Sequence, residues 1–318
     1  MKAPLPSNES QRLEALARYK ILDTEAEETY DQITKLASSI CGTPISLITL
    51  LDGDRQWFKS RHGMGATETP RDYAFCGHAI LDPHQPLVVE NATLDPRFAD
   101  NPLVTSEPPH IRFYAGVPIL TPDNLVLGTL CVIDRIPRQL TPDQIEALRV
   151  LSYQVSTQFE LRLKLLELSR RDAILAAVNI SAELFLETPK WHLIANYALK
   201  KLAIASRASR AYIFEILDDF PNELADDQKC GNQRCVNLSH EWSDVGVTSR
   251  LGQSNWQNRC FTQTWEDLFN RNQVVHSLVS CFDLGENLIA ADAKSFILVP
   301  IIVGNNRWGI IGFDDCIT

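Results

Sequence analysis

The stretch that decides the fold is residues 117–134, VPILTPDNLVLGTLCVID. It predicts two apolar strands around a turn of Thr, Pro, Asp and Asn. Residues 299–315, VPIIVGNNRWGIIGFDD, repeat the pattern: Val-Pro-Ile, a polar turn, then Gly and an apolar run that ends in Asp. The two spacings differ by one residue, which falls in the turn. A hairpin shared by unrelated domains is the alternative, but the matched Pro, Gly and Asp favour two related domains.

A long helix is predicted between the two copies, from Thr141 to about Phe185. Residues 143–188 contain neither Gly nor Pro, so nothing there breaks a helix. Thr141 and Gln144 form a capping-box pattern around Pro142. Apolar residues recur mostly three or four apart, which predicts a seam through which two copies pair in parallel as a homodimer. Two packed helices with a kink near residues 169–171 are the alternative.

The element order of the first half predicts an α+β domain. Two amphipathic helices precede strands at residues 44–51 and 55–61, and further strands are expected at 87–90, 112–120 and 125–134. Residues 95–109 are rich in Pro, Asp and Asn and are predicted to be a loop. A capping box is also expected at Thr24 and Glu27. An antiparallel sheet with helices on one face satisfies this order.

Composition restricts the classes of function. The 318 residues suit about two domains, and the formal charge of −10 argues against nucleic acid and anionic lipid as partners. No apolar run is long enough to cross a membrane, and residues 1–9 lack a signal-peptide core, so membrane insertion is not expected and the cytoplasm is the predicted location. The eight scattered cysteines predict reduced thiols.

The set of motifs resembles the GAF domains of bacterial sensor histidine kinases and cyclic-dinucleotide synthases. In the first half the resemblance lies in residues 55–60, 70–80, 112–116 and 128–134. The second half resembles the GAF domains of cyanobacterial kinases in residues 210–214, 240–242, 299–301 and 308–316. The resemblance implies two domains, 1–165 and 171–318, that share a connecting helix at 141–185. Each is implied to be a six-stranded antiparallel sheet with a ligand pocket on one face.

The resemblance also implies a sensory role in signal transduction, such as a two-component system. GAF domains usually end in a helix after the last strand, whereas this chain stops at Thr318. The second domain is therefore expected to be truncated, with an output domain such as a histidine kinase lying outside this chain. On this basis no enzymatic activity is expected of residues 1–318, and the ligand or cofactor is unknown.

Candidate ligand-binding residues combine fixed cations, histidines and aromatic rings, a set that suits a small anionic or aromatic ligand. In the first half they are Trp57, Phe58, Arg71, Phe75, Cys76, His78, Asn101, His110, Arg112 and Tyr114. In the second half they are Trp242, Trp256 and Trp308. The alternative is structural: the aromatic rings and Cys76 form core, and the polar groups tie down loops in a collapsed pocket.

Five other interpretations are considered. One is a dimerising spacer with empty pockets. Another is an enzyme similar to free methionine sulfoxide reductases with Cys76 as its thiol, although residues 95–109 hold no second cysteine. Covalent bilin attachment is disfavoured because residues 281–296 contain no Cys-His pair. Cys230, Cys235 and His240 are spaced too loosely for a typical zinc site, and haem ligation by His78 or His110 has no motif behind it.

Overall fold

The fold is described by a computed structural model. It describes residues 2–106, 110–188, 190–217, 235–257, 259–260, 265, 267–268, 273–281, 289–304 and 306–317. The chain divides into two compact domains, residues 1–166 and 167–318. Among the described residues, no helix combines the length and the apolar character that crossing a membrane requires.

The first domain is an antiparallel sheet of six strands with its long helices on one face. Its strands are β1 (Ile45–Leu51), β2 (Arg55–His62), β3 (Glu68–Pro70), β4 (Leu87–Val89), β5 (Phe113–Leu120) and β6 (Val126–Asp134). Its helices are α1 (Glu9–Tyr19), α2 (Glu28–Cys41), α3 (Cys76–Ala79) and α4 (Pro102–Thr105), and the long α5 (Pro142–Glu187) begins after β6. The strand order is β3-β2-β1-β6-β5-β4.

Both faces of this sheet are covered, which explains why every residue of β1 and β6 is buried. Leu50 of β1 lies in the core under α1, α2 and α5, together with Leu148 and Phe159 of α5. Leu47, on the other face, packs with Phe75 and Phe98 from the segments that follow β3. Alternate residues of the central strands thus enter different cores, as strand geometry requires.

Helix α5 begins at the predicted cap. The Thr141 amide donates to Gln144 Oε1 at 3.0 Å, and the Gln144 amide donates to Thr141 Oγ1 at 3.3 Å, which is a capping box. The helix continues as one element to Glu187, so the alternative of two helices does not apply.

The second domain repeats the topology of the first. After α6 (His192–Ser206), its strands are β7 (Arg210–Leu217), β8 (Cys235–Ser243), β9 (Arg259–Cys260), β10 (Val275–Leu278), β11 (Ser295–Val303) and β12 (Asn306–Asp315). The strand order β9-β8-β7-β12-β11-β10 matches the first sheet strand for strand. The fold class is therefore α+β with two six-stranded antiparallel sheets, as the hairpin repeat predicted.

The repeated glycine has the same physical reason in both domains. Gly128 lies where an added Cβ would overlap the carbonyl oxygen of Thr49 on β1. Gly309 lies where an added Cβ would overlap the carbonyl oxygen of Phe214 on β7. The last strand of each domain approaches its neighbour too closely at this point for any side chain, which only glycine allows.

Three sequence expectations differ from the structure. A short helix, α4, interrupts the predicted loop at 95–109 because Asn101 caps it and Pro102 fits its first position. Thr24 forms no capping box: its hydroxyl donates to the carbonyl of Ile21, and α2 begins at Glu28. Cys235 is disulfide-bonded, so the expectation of reduced thiols throughout the chain is wrong.

Candidate functional site

The face of the first sheet opposite the long helices holds a cavity of about 30 Å³. Its lining comprises Leu47, Gln56, Phe58, Met64, Thr69, Phe75, Leu103, Ile111, Tyr114 and Ile133. Aromatic packing fills most of the space: Phe75 stacks on Phe98 with ring centroids 4.0 Å apart and lies 5.1 Å from Tyr114. A volume of this size accommodates about one or two water molecules. The pocket is therefore closed to an organic ligand in this arrangement.

Polar groups of this cavity are few. Among the described residues, Thr69 Oγ1 is buried without a hydrogen-bond partner. The Tyr114 hydroxyl lies 3.3 Å from Thr129 Oγ1, and burial raises the pKa of Tyr114 well above its usual value. Buried polar atoms usually have partners, so Thr69 marks the place where a polar ligand atom or a water would gain most.

Arg71 lies away from this cavity. Its Nη1 donates to Glu9 Oε1 at 2.6 Å and to the Asp52 carbonyl at 2.7 Å. Burial raises the pKa of Glu9, but the hydrogen bonds from Arg12 and Arg71 outweigh burial and bring it to about 2. Arg71 thus joins α1 to the β1–β2 turn, so its assignment as a ligand-binding cation does not fit the geometry.

Arg112 and Asn101 also hold backbone. Arg112 Nη1 donates to the carbonyls of Val104 and Ile111 at 2.8 and 3.2 Å. Asn101 accepts from the amide of Leu103 and donates to the carbonyl of Tyr73. These contacts tie together the loops that cover the cavity, which is the structural alternative weighed above.

The two candidate histidines of the first domain have other surroundings. His78 meets Phe98 edge-on with centroids 4.9 Å apart, and His110 adopts a left-handed backbone conformation with φ 52°. Neither lines the cavity.

Trp57 and Phe58 are adjacent in β2 and therefore point to opposite faces of the sheet. Phe58 lines the cavity, whereas Trp57 belongs to the core beneath α1, α2 and α5. Trp57 therefore does not line this cavity, although it lies with Phe58 along a separate open groove beside Thr24 and Lys59.

Cys76 lies in a small apolar core with Leu51, Ala74, Ile80 and Val126. Burial raises the pKa of its thiol to about 12. Because the thiolate is the nucleophile, this environment suppresses the chemistry that the thiol-enzyme alternative requires.

In the second domain the three candidate tryptophans lie on different faces. Trp256 packs with Tyr212 and Phe214 in the core opposite α6. Trp242 and Trp308 lie in the core beneath α6. The three rings therefore do not line one pocket, and they form core, as the structural alternative predicts.

The bilin and zinc interpretations of this domain rest partly on residues outside the described ranges. Residues 282–288 of the segment on which the bilin argument rests, and Cys230 of the zinc argument, lie outside the described residues. The disulfide of Cys235 removes a second proposed zinc ligand. His240 packs 4.9 Å from Trp191, and the described part of the chain contains no group of three metal-ligating side chains.

A buried ionic cluster, which the sequence reading missed, lies on the Trp256 side of the second sheet. Arg210 Nη2 donates to Asp292 at 2.6 Å, and Arg210 Nη1 lies 3.2 Å from Asp314. Glu241 accepts from the amide and the Nε of Arg250 at 2.6 and 3.0 Å. Five charged groups spread over residues 210–314 carry no motif, so only the fold brings them together.

A larger cavity of the first domain lies elsewhere. It is an open groove of about 600 Å³ beside the first half of α5, where Arg149, Tyr153 and Glu160 meet the β5–β6 turn. None of the candidate site residues lines it.

Comparison with known proteins identifies the first domain. Residues 25–159 match the family model of the GAF domain. A cyclic di-GMP phosphodiesterase of Pseudomonas aeruginosa is 47% identical over 135 residues, which are 42% of this chain and 23% of that protein. A methanogenesis regulatory histidine kinase of Methanothrix harundinacea is 30% identical over 165 residues, 47% of this chain and 16% of that protein. The chain thus spans less than a quarter of either relative.

Solved structures give weaker likenesses. A bacteriophytochrome of R. palustris covers 97% of this chain over 62% of its own, with 11% identity and a TM-score of 0.49. The GAF domain of an Acinetobacter phosphoenolpyruvate-protein phosphotransferase covers 47% of this chain over 93% of its own, with 19% identity and a TM-score of 0.35.

These findings correct one expectation and support another. The expectation that the chain has no enzymatic activity is contradicted, because the relative with 47% identity is named as an enzyme, a cyclic di-GMP phosphodiesterase. Both curated relatives are named for signalling activities, which supports a sensory or regulatory role. Residues 25–159 of this chain belong to the GAF domain family, and the second domain repeats the strand order of the first.

Proposed function

We propose that this chain is the sensory input of a signalling protein, in which a small molecule bound by a GAF domain biases the packing of α5 in a homodimer. The observation that carries the proposal is the surface of α5. Leu148, Val155 and Phe159 are buried in the first domain. The same helix exposes a row of apolar side chains, namely Tyr153, Leu161, Leu165, Leu168 and Leu175, each more than half exposed.

A second copy of the chain is the partner that suits this row. Leu161, Leu168 and Leu175 are spaced by seven residues, which is the repeat of a coiled-coil seam. Contiguous apolar surface on a helix is typical of protein contacts. Pairing through α5 would also give a ligand in the first domain a direct route to the helix, because α5 supplies part of that domain's core. A ligand passes on a signal only if it binds one helix arrangement better than the other.

Sedimentation equilibrium tests the dimer. Leu165→Asp places a charge in the proposed seam and is expected to give monomers, whereas Leu94→Asp, at a loop leucine that is 79% exposed, should leave the dimer intact. Equal dimerisation of both variants would refute the seam.

A native mass spectrum of the wild-type dimer tests ligand binding. Excess mass over the denatured chain would support a retained small molecule. A bare dimer would favour the alternative of a dimerising spacer with empty pockets.

The names of the two relatives suggest two output activities for the protein that contains this chain, namely cyclic di-GMP hydrolysis and histidine kinase activity. We favour cyclic di-GMP hydrolysis. The phosphodiesterase shares 47% identity with this chain against 30% for the kinase, over segments of similar length. Hydrolysis of cyclic di-GMP by the protein that contains this chain is the expected activity. Autophosphorylation on histidine without such hydrolysis would reverse the choice.

A further inference from the structure

Arg250 is a buried cation on the loop between β8 and β9. The residue is 3% exposed. Its guanidinium carbon lies 4.1 Å from the ring centroid of Tyr212 and 4.5 Å from that of Trp256. Stacking on two aromatic rings compensates part of the cost of burying the charge, and it leaves the edge of the guanidinium plane to be satisfied by hydrogen bonds.

Among the described residues, only Nε of the three guanidinium nitrogens has a hydrogen-bond partner. Arg250 Nε donates to Glu241 Oε1 at 3.0 Å. Nη1 and Nη2 are buried and have no hydrogen-bond partner within the described ranges, and the nearest acidic atom to Nη1 is Asp314 Oδ2 at 3.5 Å. Asp314 is already engaged, since it accepts from the Tyr212 hydroxyl and pairs with Arg210. Leaving charged donors buried and unpaired is costly, so such groups usually have a partner.

Arg210 shows what a purely structural arginine looks like in the same cluster. Its Nη1 and Nη2 contact Asp292 and Asp314, and Nη2 also donates to the carbonyl of Thr248. Both terminal nitrogens are therefore engaged, which ties the start of β7 to the end of β12. Among the described residues, Arg250 is hydrogen-bonded through Nε to Glu241, and its Nη1 approaches Asp314 only to 3.5 Å, so Nη1 and Nη2 keep donors for a ligand.

The surroundings of Arg250 suit a small ligand with an anionic end. Trp256 stacks near Phe214 with ring centroids 6.3 Å apart, so aromatic rings lie beside the Arg250 guanidinium. Apolar walls with one or two placed polar groups are typical of small-molecule sites. A guanidinium fork matches a carboxylate or a phosphate with two parallel hydrogen bonds.

We propose that Arg250 is the anion-binding residue of the second domain, where Nη1 and Nη2 hold a carboxylate or phosphate group of a small ligand whose apolar part packs against Trp256. This assignment rests on the proposed sensory function and names the ligand class of its second domain. The two nitrogens lie beneath the surface, so the Trp256 ring must turn aside to admit the ligand and then pack against its apolar part. That ring is carried by the loop before β9 and not by the sheet, so its displacement breaks no strand pairing.

Isothermal titration of the full chain with inorganic phosphate and with malonate tests the site, with sodium chloride at equal ionic strength as the blank. The two titrants distinguish a phosphate from a carboxylate ligand. Wild type is expected to bind at least one of them with one site per chain. Arg250→Gln should weaken that binding by about tenfold or more, and Arg250→Lys, which keeps the charge but loses the fork, should also weaken it.

Arg259→Gln is the matched control. The guanidinium of Arg259 lies 4.4 Å from the centroid of the Trp256 ring, but its Nη1 donates to the carbonyl of Asn255. It should bind within about twofold of wild type. Trp256 fluorescence should respond to the anion in wild type and in Arg259→Gln. Circular dichroism shows whether Arg250→Gln is folded. If it is not, the anion affinity of Arg250→Lys relative to wild type is the test of the site.

The outcomes separate the assignment from the proposed function. No binding above the chloride blank, or binding that Arg250→Lys and Arg259→Gln reduce equally, would overturn the role of Arg250. If the native dimer still retained a small molecule, the sensory function would stand while this assignment failed. Binding that depends on Arg250 in a chain that shows no dimer would support the site and count against signalling through α5.

Discussion

Arg71 Nη1 donates a 2.6 Å hydrogen bond to Oε1 of Glu9, which lies 62 residues earlier in the chain. Glu9 also accepts two hydrogen bonds of 2.8 Å from Arg12, whose own Nη1 donates to the carbonyl of Leu51. One carboxylate thus holds two arginines that fix α1 against the end of β1. The Arg71 that looked like a ligand-binding cation in the sequence is engaged in this contact.

Glu9→Gln is expected to lower the stability of the first domain at neutral pH by about 2 kcal/mol, because it leaves two arginines without their carboxylate. The pKa of Glu9 is lowered from 4.5 to about 2 in the folded state, so its stabilising effect is present above pH 4.5 and is lost as the pH falls towards 2. Thermal unfolding of the two proteins should therefore differ most near pH 7 and converge below pH 3. Glu14→Gln, at an exposed position of the same helix, is the control; a difference that does not shrink with acid would contradict the argument.

Cys76 is expected to be unreactive in the folded protein. Because burial raises the pKa of its thiol to about 12, the thiolate fraction at pH 8 falls about a thousandfold below that of a thiol with a pKa of 9. N-ethylmaleimide labelling followed by peptide mass spectrometry should modify the half-buried Cys316 well before Cys76. In urea the two should react at similar rates. Rapid labelling of native Cys76 would restore the thiol-enzyme interpretation.

Replacing either repeated glycine by alanine is expected to destabilise its own domain by roughly 2 kcal/mol or more, since the new methyl group overlaps backbone that cannot move away. Gly128→Ala meets the carbonyl of Thr49, and Gly309→Ala meets that of Phe214. Gly65→Ala is the control, because its added Cβ meets nothing within 4 Å. Thermal unfolding with protease mapping would show which domain is lost. Wild-type stability of either variant would contradict the shared explanation of the repeat.

The sequence predicts the strands, the hairpin repeat and α5 because each depends on local periodicity and caps, as at Thr141 and Gln144. It predicts the site less well, because partners in the site lie far apart in the chain. Alternation in β2 puts Trp57 and Phe58 on opposite faces of the sheet, a step that the assignment of both to one site left out, and which of them faces the cavity depends on the helices above the sheet. Arg250 carries no sequence signal, since its unpaired donors are visible only once Glu241, Tyr212 and Trp256 surround it.

Tyr19→Phe tests how firmly α1 is fixed to the helix that carries the proposed signal. The Tyr19 hydroxyl donates a short hydrogen bond to Glu160 of α5, and burial together with that bond raises the pKa of Tyr19 above its usual range. Loss of a bond to a charged acceptor should cost about 1.5–3 kcal/mol, while the ring still packs on Phe159 at 6.1 Å. Urea unfolding followed by circular dichroism should show this loss for Tyr19→Phe and none for Tyr153→Phe, whose ring is 69% exposed on the same helix. Equal stability of the two variants would mean that apolar packing alone holds α1 to α5, and a signal from the first domain would then reach the helix only through the core around Phe159.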